Sequence, residues 1–202
     1  MNQENRAFYG VYADRLQELC DLMMKEVKSM LDSISTDSET ALAEHLKCRV
    51  KDCESLREKL HRLSLEDSAE SALKNLSDVV GVRVITHFVG DIYTVLDLIE
   101  SSDKWKVKTV KDYIANMKPN GYRSLHVLLT VPFGVGGIDE IDVEVQLRTI
   151  AMDCWASLEH QLKYKKDIRS TALIVGELKR CADEMASTDL TMQTIRDLIQ
   201  KG

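Results

Sequence analysis

The chain has 202 residues, 44% of them hydrophobic and 30% charged, which is ordinary for a folded globular protein and enough for one sizeable domain. No apolar run approaches the roughly 18 residues of a membrane span, and Met1–Arg6 has no basic start leading into an apolar segment, so neither a span nor a signal peptide is expected. A net charge of −6 argues against a protein whose main partner is a long polyanion.

That charge is unevenly spread. Residues 1–44 hold nine acids against four bases, whereas 45–62 hold six Lys/Arg against three acids and 103–123 hold six against two. Two basic zones in an acidic chain suit a confined anionic ligand. The five cysteines (Cys20, Cys48, Cys53, Cys154, Cys181) form no CxxC pair and read as reduced, mostly buried thiols of a cytoplasmic protein. The five histidines show neither HExxH nor an adjacent His-Asp pair, so a histidine-metal hydrolase gains no support.

In chain order, residues 4–31 read as one long amphipathic helix, with Phe8, Tyr12, Leu16, Leu19, Met23, Val27 and Met30 at three- and four-residue steps. A Ser/Thr/Asp-rich break follows at Ile34–Ser38, and a short helix is expected around Glu39–Glu44. Leu46–Lys51 alternates, with Leu46, Cys48 and Val50 on one face and Lys47, Arg49 and Lys51 on the other. Asp52 is placed to cap a helix over Cys53–Leu63, whose Ser55 and Lys59 share a face. That strand and helix would point Arg49, Lys51, Ser55 and Lys59 at one region beside a helix N-terminus, an arrangement suited to phosphate; a basic edge strand and a surface helix is the alternative.

Residues 64–75 read as a polar connector and helix, Val79–Phe88 as a buried strand, and Asp91–Ser101 as a helix. Trp105–Ile114 reads as a strand anchored by Val107 and Val110, Lys118–Gly121 as a turn, and Ser124–Pro132 as a strand. After a Gly-rich turn at Gly134–Gly137 comes Ile141–Arg148, with strict alternation. Ile141, Val143, Val145 and Leu147 face one way; Asp142, Glu144, Gln146 and Arg148 face the other. Ala151–Lys165 and about Ile168–Lys201 are helical by periodicity. The order gives an α/β or α+β domain with a mixed sheet of about five strands. Residues 1–44 and 167–202 are expected as helical extensions of the domain at 45–166, with apolar faces that favour self-association.

Two acids stand out. Asp78 opens one predicted strand and Glu144 lies on the polar face of another; if those strands are neighbours, both carboxylates can share a Mg²⁺ for phosphoryl chemistry. Arg83, Tyr122, His126, Gln146 and Arg148 keep them company, though each alone has an ordinary structural explanation. Together they resemble a family. Lys118-Pro-Asn-Gly-Tyr-Arg-Ser-Leu-His126, Val143-Glu-Val-Gln-Leu-Arg148 and Thr149–His160 with Tyr164-Lys165 resemble the synthetase domain of RelA/SpoT-type alarmone synthetases. Upstream, Arg49-Val-Lys51, Ser55, Lys59, Asp78-Val-Val-Gly-Val-Arg83 and Lys111-Asp-Tyr-Ile114 fall in the matching order. The likeness covers roughly residues 45–166, and the chain is similar to the small, single-domain members.

The resemblance implies a nucleotidyltransferase-like fold and transfer of pyrophosphate from ATP to the ribose 3′-OH of GDP or GTP, giving ppGpp or pppGpp and AMP. It places Arg49 and Arg83 on adenine, Lys51, Ser55 and Lys59 on the ATP phosphates, and Asp78 and Glu144 on Mg²⁺, with Glu144 also near the 3′-OH. It places Tyr122 on guanine and Lys111, Lys118 and His126 on the acceptor phosphates, with Gln146 and Asp153 helping to place the acceptor. It also implies a homo-oligomer, a tetramer in some members. Those tetramers bind an allosteric alarmone through an aromatic residue and a threonine just before the position of Arg49. His45 and Lys47 stand there instead, so that regulation is not expected. Two rivals remain: a toxin-type enzyme that pyrophosphorylates the tRNA 3′ end, against which the acidic balance speaks, and a non-catalytic nucleotide- or RNA-binding regulator, which would be expected to lack one of these groups.

Overall fold

The computed structural model describes residues 1–34, 41–163 and 171–201. The N-terminal periodicity resolves into two helices, α1 (Gln3–Tyr9) and α2 (Ala13–Asp32), joined by a 3-10 turn over Gly10–Tyr12. The single expected helix is broken because Gly10 takes φ 52°, a conformation that costs glycine little and ends α1. The apolar stripe continues in phase across the turn, and Tyr9, Leu16, Leu19, Met23 and Val27 are all buried.

Strand β1 (Ala43–Val50) replaces the short helix expected around Glu39–Glu44. Ala43 and Glu44 belong to the strand, held by pairing of Ala43 with Thr86, while residues 39 and 40 lie outside the described residues. Helix α3 (Cys53–Arg62) starts at Asp52, whose Oδ1 accepts the Glu54 N–H at 3.0 Å, and buries Leu56 and Leu60. Helix α4 (Ala69–Asn75) is capped by Ser68 in the same way. Then follow β2 (Val80–Thr86), α5 (Val89–Glu100), β3 (Lys106–Asp112), β4 (Leu125–Val135), β5 (Ile138–Thr149), α6 (Ile150–Lys163) and α7 (Thr171–Lys201). Tyr164 and Lys165 lie outside the described residues.

The five strands form one mixed sheet in the order β1-β2-β5-β4-β3. Only β2 and β5 run parallel, because α5 and the β3–β4 excursion separate them in the chain. Strand β3 is an edge strand with a register shift between Val107 and Thr109. The shift keeps Val110, opposite Val127, on the same face as Val107, yet at the open edge Val110 is 36% exposed and is not the buried anchor expected.

One sheet face is apolar: Val80, Val82 and Val84, Leu125, Val127 and Leu129, and Val143, Val145 and Leu147 join side chains of α2, α3, α4 and α5 in a single buried cluster. The opposite face carries the polar residues. Helix α7 docks on this framework through Trp155 Nε1 to Leu178 O (2.9 Å), Arg123 to Asp183 (2.8 Å), Thr149 to Asp189 (2.5 Å) and Arg196 to Asp91 (2.5 Å). Among the described residues no helix is long and apolar enough to cross a membrane, and the five cysteines are free thiols. Cys154 and Cys181 are exposed, so burial holds for the other three only in part: Cys20 and Cys53 are buried and Cys48 is half-buried.

Candidate active site

The parallel pairing of β2 with β5 builds the site. It sets Gly81 opposite Glu144 and Arg83 opposite Gln146, while the antiparallel pairing of β1 sets Arg49 opposite Gly81 and Lys47 opposite Arg83. Alternation puts all of these on the face away from the apolar cluster. A cavity of about 530 Å³ opens over them, lined by Arg49, Lys51, Asp78, Arg83, Glu144 and Gln146 among others. Its size suits a nucleotide-sized ligand. Gly81 forms its floor, and a Cβ there would meet no atom within 4 Å, so glycine leaves open space between Arg49 and Glu144.

The two carboxylates that the sequence singles out share this cavity. Asp78, just before β2, accepts from Lys51 Nζ and Lys59 Nζ, each at 2.7 Å. Burial pushes its carboxyl up, but the two ammonium groups outweigh burial and hold it below the ordinary carboxylate range. Glu144 accepts from His126 Nδ1 at 3.0 Å and from Gln146 Nε2 at 2.6 Å. Burial raises Glu144, and so does the charge of Asp78, yet the bonds from His126 and Gln146 bring it below its usual value. The two acids therefore feel one another's field while both stay ionised.

Such a pair fits a hard divalent cation completed by phosphate oxygens and water. Among the described residues no cluster of three or more His, Cys, Asp or Glu side chains could hold an ion by itself.

The residues expected to meet the acceptor lie next to this pair. Tyr122 Oη is 2.8 Å from His126 Nε2, and Lys118 Nζ stands 4.6 Å from the Tyr113 ring centroid and 4.9 Å from that of Tyr122. The loop carrying them is pressed against α7. Gly121 takes φ 90°, and a Cβ there would come within 2.7 Å of Ala182 Cβ, so no larger residue fits without displacing the helix. Asp153, on the first turn of α6, lies between two guanidiniums, at 3.1 Å from Arg83 and 3.0 Å from Arg148. Through Asp153, Arg83 thus joins the cavity residues to the Tyr122 group.

The structure gathers most of the expected residues, but not all. Arg49, Lys51, Lys59, Asp78, Arg83, Glu144 and Gln146 surround or reach the cavity, and Tyr122, His126, Lys118 and Asp153 continue the site beyond it. Ser55 sits exposed on the first turn of α3, and Lys111 is exposed on edge strand β3, paired with His126 in the ladder. Asp142, without assigned chemistry in the sequence, is held by Lys108 at 2.8 Å and Thr130 at 3.3 Å.

Sequence reasoning missed Met24 and Cys48 as cavity lining, and Tyr113, whose ring meets His126 edge-on at 5.2 Å. Helical and strand periodicity marks Met24 and Cys48 only as packing residues. Of the two departures from the alarmone-regulated pattern, Lys47 lines the cavity and His45 is exposed beside Glu44.

Residues 48–169 match the family described as "Region found in RelA / SpoT proteins". GTP pyrophosphokinase YwaC of Bacillus subtilis is 40% identical over 141 residues, spanning 69% of this chain and 67% of the relative. GTP pyrophosphokinase YjbM of Bacillus subtilis is 31% identical over 184 residues, spanning 89% and 86%. The solved structure of small alarmone synthetase 1 from Bacillus subtilis bound to its product pppGpp superposes with a TM-score of 0.84 at 28% identity, covering 98% of this chain and 100% of that one.

Proposed function

The chain belongs to the RelA/SpoT family, and on that premise we propose that it is a small alarmone synthetase that transfers pyrophosphate from ATP to the ribose 3′-OH of GDP or GTP. The 3′ oxygen attacks the β-phosphorus of ATP, the bond from that phosphorus to the α–β bridging oxygen breaks, and AMP leaves as pppGpp or ppGpp forms. The observation that carries this is the meeting, in one cavity, of two guanidiniums, two lysines on a carboxylate, and a second ionised carboxylate next to the Tyr122–His126 pair.

Arg49 and Arg83 are the adenine pair, since a planar guanidinium stacks on a purine where an ammonium does not. Lys51 and Lys59, with Ser55 on the same helix, take the ATP phosphates, and to do so the lysines exchange Asp78 for phosphate oxygens. Asp78 and Glu144 would then be free to hold Mg²⁺, which would supply neutralisation of the charge on the phosphates. Tyr122 stacks on guanine, and Lys111, Lys118 and His126 meet the acceptor phosphates. Gln146 and Asp153 border the ribose. Glu144 is the group placed to take the 3′ proton, since its ionised state is maintained by its neighbours.

The exposed Leu173, Leu190, Leu198 and Ile199 of α7 support self-association, with a homotetramer as the expected assembly. The free thiols fit a cytoplasmic protein. Chromatography of the products from ATP with GMP, GDP or GTP, with tRNA as a parallel acceptor, tests the reaction. Product with GDP or GTP is expected; labelled phosphate entering tRNA alone overturns it.

A further inference from the structure

Arg148 has no part in the reaction so far, and it does not line the cavity. It is 5% exposed, and each of its three side-chain nitrogens is engaged. Nε points to Ser124 Oγ at 3.4 Å and Nη1 to Asp153 Oδ1 at 3.0 Å, while Nη2 donates to Tyr122 Oη at 2.8 Å and Gln146 Oε1 at 3.0 Å. A guanidinium can only donate. With the His126 ring neutral, Tyr122 Oη, accepting from Arg148, turns its own hydrogen to His126 Nε2, and the ring proton stands on Nδ1, aimed at Glu144 Oε1. Gln146, accepting at Oε1, must donate from Nε2, and that nitrogen faces Glu144 Oε2.

Two hydrogen-bond chains thus leave one guanidinium nitrogen and end on the two oxygens of one carboxylate. A donor-only group at one end and an ionised, acceptor-only group at the other leave each group between them a single orientation. Bonds in such chains also polarise one another.

We propose that Arg148 is the positioning residue of this active site, fixing Glu144 through Tyr122–His126 on one oxygen and Gln146 on the other without touching either substrate. Lysine cannot substitute fully, because one ammonium on a flexible stem does not span Ser124, Asp153, Tyr122 and Gln146 together. The kinetic consequence rests on the synthetase reading; the arrangement of side chains does not.

The test compares Arg148→Met, Arg148→Lys and the double variant Tyr122→Phe/Gln146→Leu with the wild-type protein, by crystal structure and by steady-state kinetics with ATP and GDP. The double variant cuts both chains while leaving the guanidinium in place, so it answers if Arg148→Met fails to fold. In either, Glu144 is expected to leave its wild-type rotamer while the backbone stays. kcat is expected to fall on the order of 10²-fold, with the ATP KM within a few-fold, and Arg148→Lys should recover part of it. Adding Tyr122→Phe to Arg148→Met should cost little more, since that chain is already cut. Glu144, Tyr122 and Gln146 unmoved in Arg148→Met (or Glu144 unmoved in the double variant, if that one alone folds) would overturn the proposal whether or not the protein makes product. So would displacement with kcat intact. A wild-type protein without synthetase activity would sink the proposed reaction instead, leaving the structures to decide Arg148.

Discussion

Thr149 closes the motif strand, and its hydroxyl serves two partners at once. Oγ1 donates to Asp189 Oδ2 on α7 at 2.5 Å and accepts the Met152 N–H at 3.1 Å, which caps α6. The side chain is fully buried, so Thr149→Val keeps the shape and removes both bonds. The cap contributes about 1 kcal/mol. A hydrogen bond to a charged group contributes roughly 1.5–3 kcal/mol, and the lower end applies because Asp189 is only half-buried. The sum is about 2.5 kcal/mol, which for a chain of this size lowers Tm by roughly 5–10 °C.

Urea unfolding of wild type, Thr149→Val and Thr149→Ser measures it, with serine retaining the hydroxyl and most of the stability. Burial raises the Asp189 carboxyl against the lowering bond from Thr149. A raised acid contributes its stability at low pH and loses it as pH rises through the folded pKa. Without the hydroxyl that pKa moves further up, so the valine deficit should grow with rising pH and narrow on acidification. Valine within about 0.5 kcal/mol of wild type, or serine as damaging as valine, would refute the two-bond account.

Glu144→Gln is nearly isosteric, so it should keep the fold and Tm within a few degrees while kcat drops by roughly 10²- to 10⁴-fold; wild-type-like turnover would remove Glu144 from the chemistry. Gly81→Val places a branched side chain into the open floor between Arg49 and Glu144. Stability should hold or rise, while about 1–3 kcal/mol of overpacking against ATP weakens its binding roughly ten- to a hundredfold. Calorimetric titration with ATP and with GDP separates the two sites, and unchanged ATP affinity contradicts the placement. Asp78 and Glu144 are both held below the usual carboxylate range. The stability each contributes is present above its unfolded pKa and disappears as pH falls through its lower folded value. Asp78→Asn should therefore be less stable at neutral pH and lose less on acidification, and parallel stability–pH curves for the two proteins would rule this out.

The strand Ile141–Arg148 was legible because its signal is local. A period of two survives in any tertiary setting, and its four apolar residues are at most 3% exposed. The Asp52 cap was legible for the same reason. What misled was equally local. Helical phase carried across Gly10 hid the break between α1 and α2, and the apolar character of Val107 and Val110 gave no sign that β3 would stand at the sheet edge. The site divides along the same line. Candidate side chains were visible as motif residues, whereas the clamp of Lys51 and Lys59 on Asp78, and the links from Arg148 to Tyr122 and Asp153, depend on groups brought together from different elements.

The sequence by itself determined which residues are polar on strands whose other face is apolar, and that the motif set is the one shared with RelA/SpoT proteins. Only the tertiary structure decided that β2 lies parallel to β5, which brings Asp78 and Glu144 into one field, and that α7 packs against the Gly121 loop and Thr149. Alternation fixes a side chain's face but not its neighbour. Strand order is a long-range choice, made when the apolar faces of α2 through α5 and the sheet close over one core, and the polar face left outside that core becomes the site.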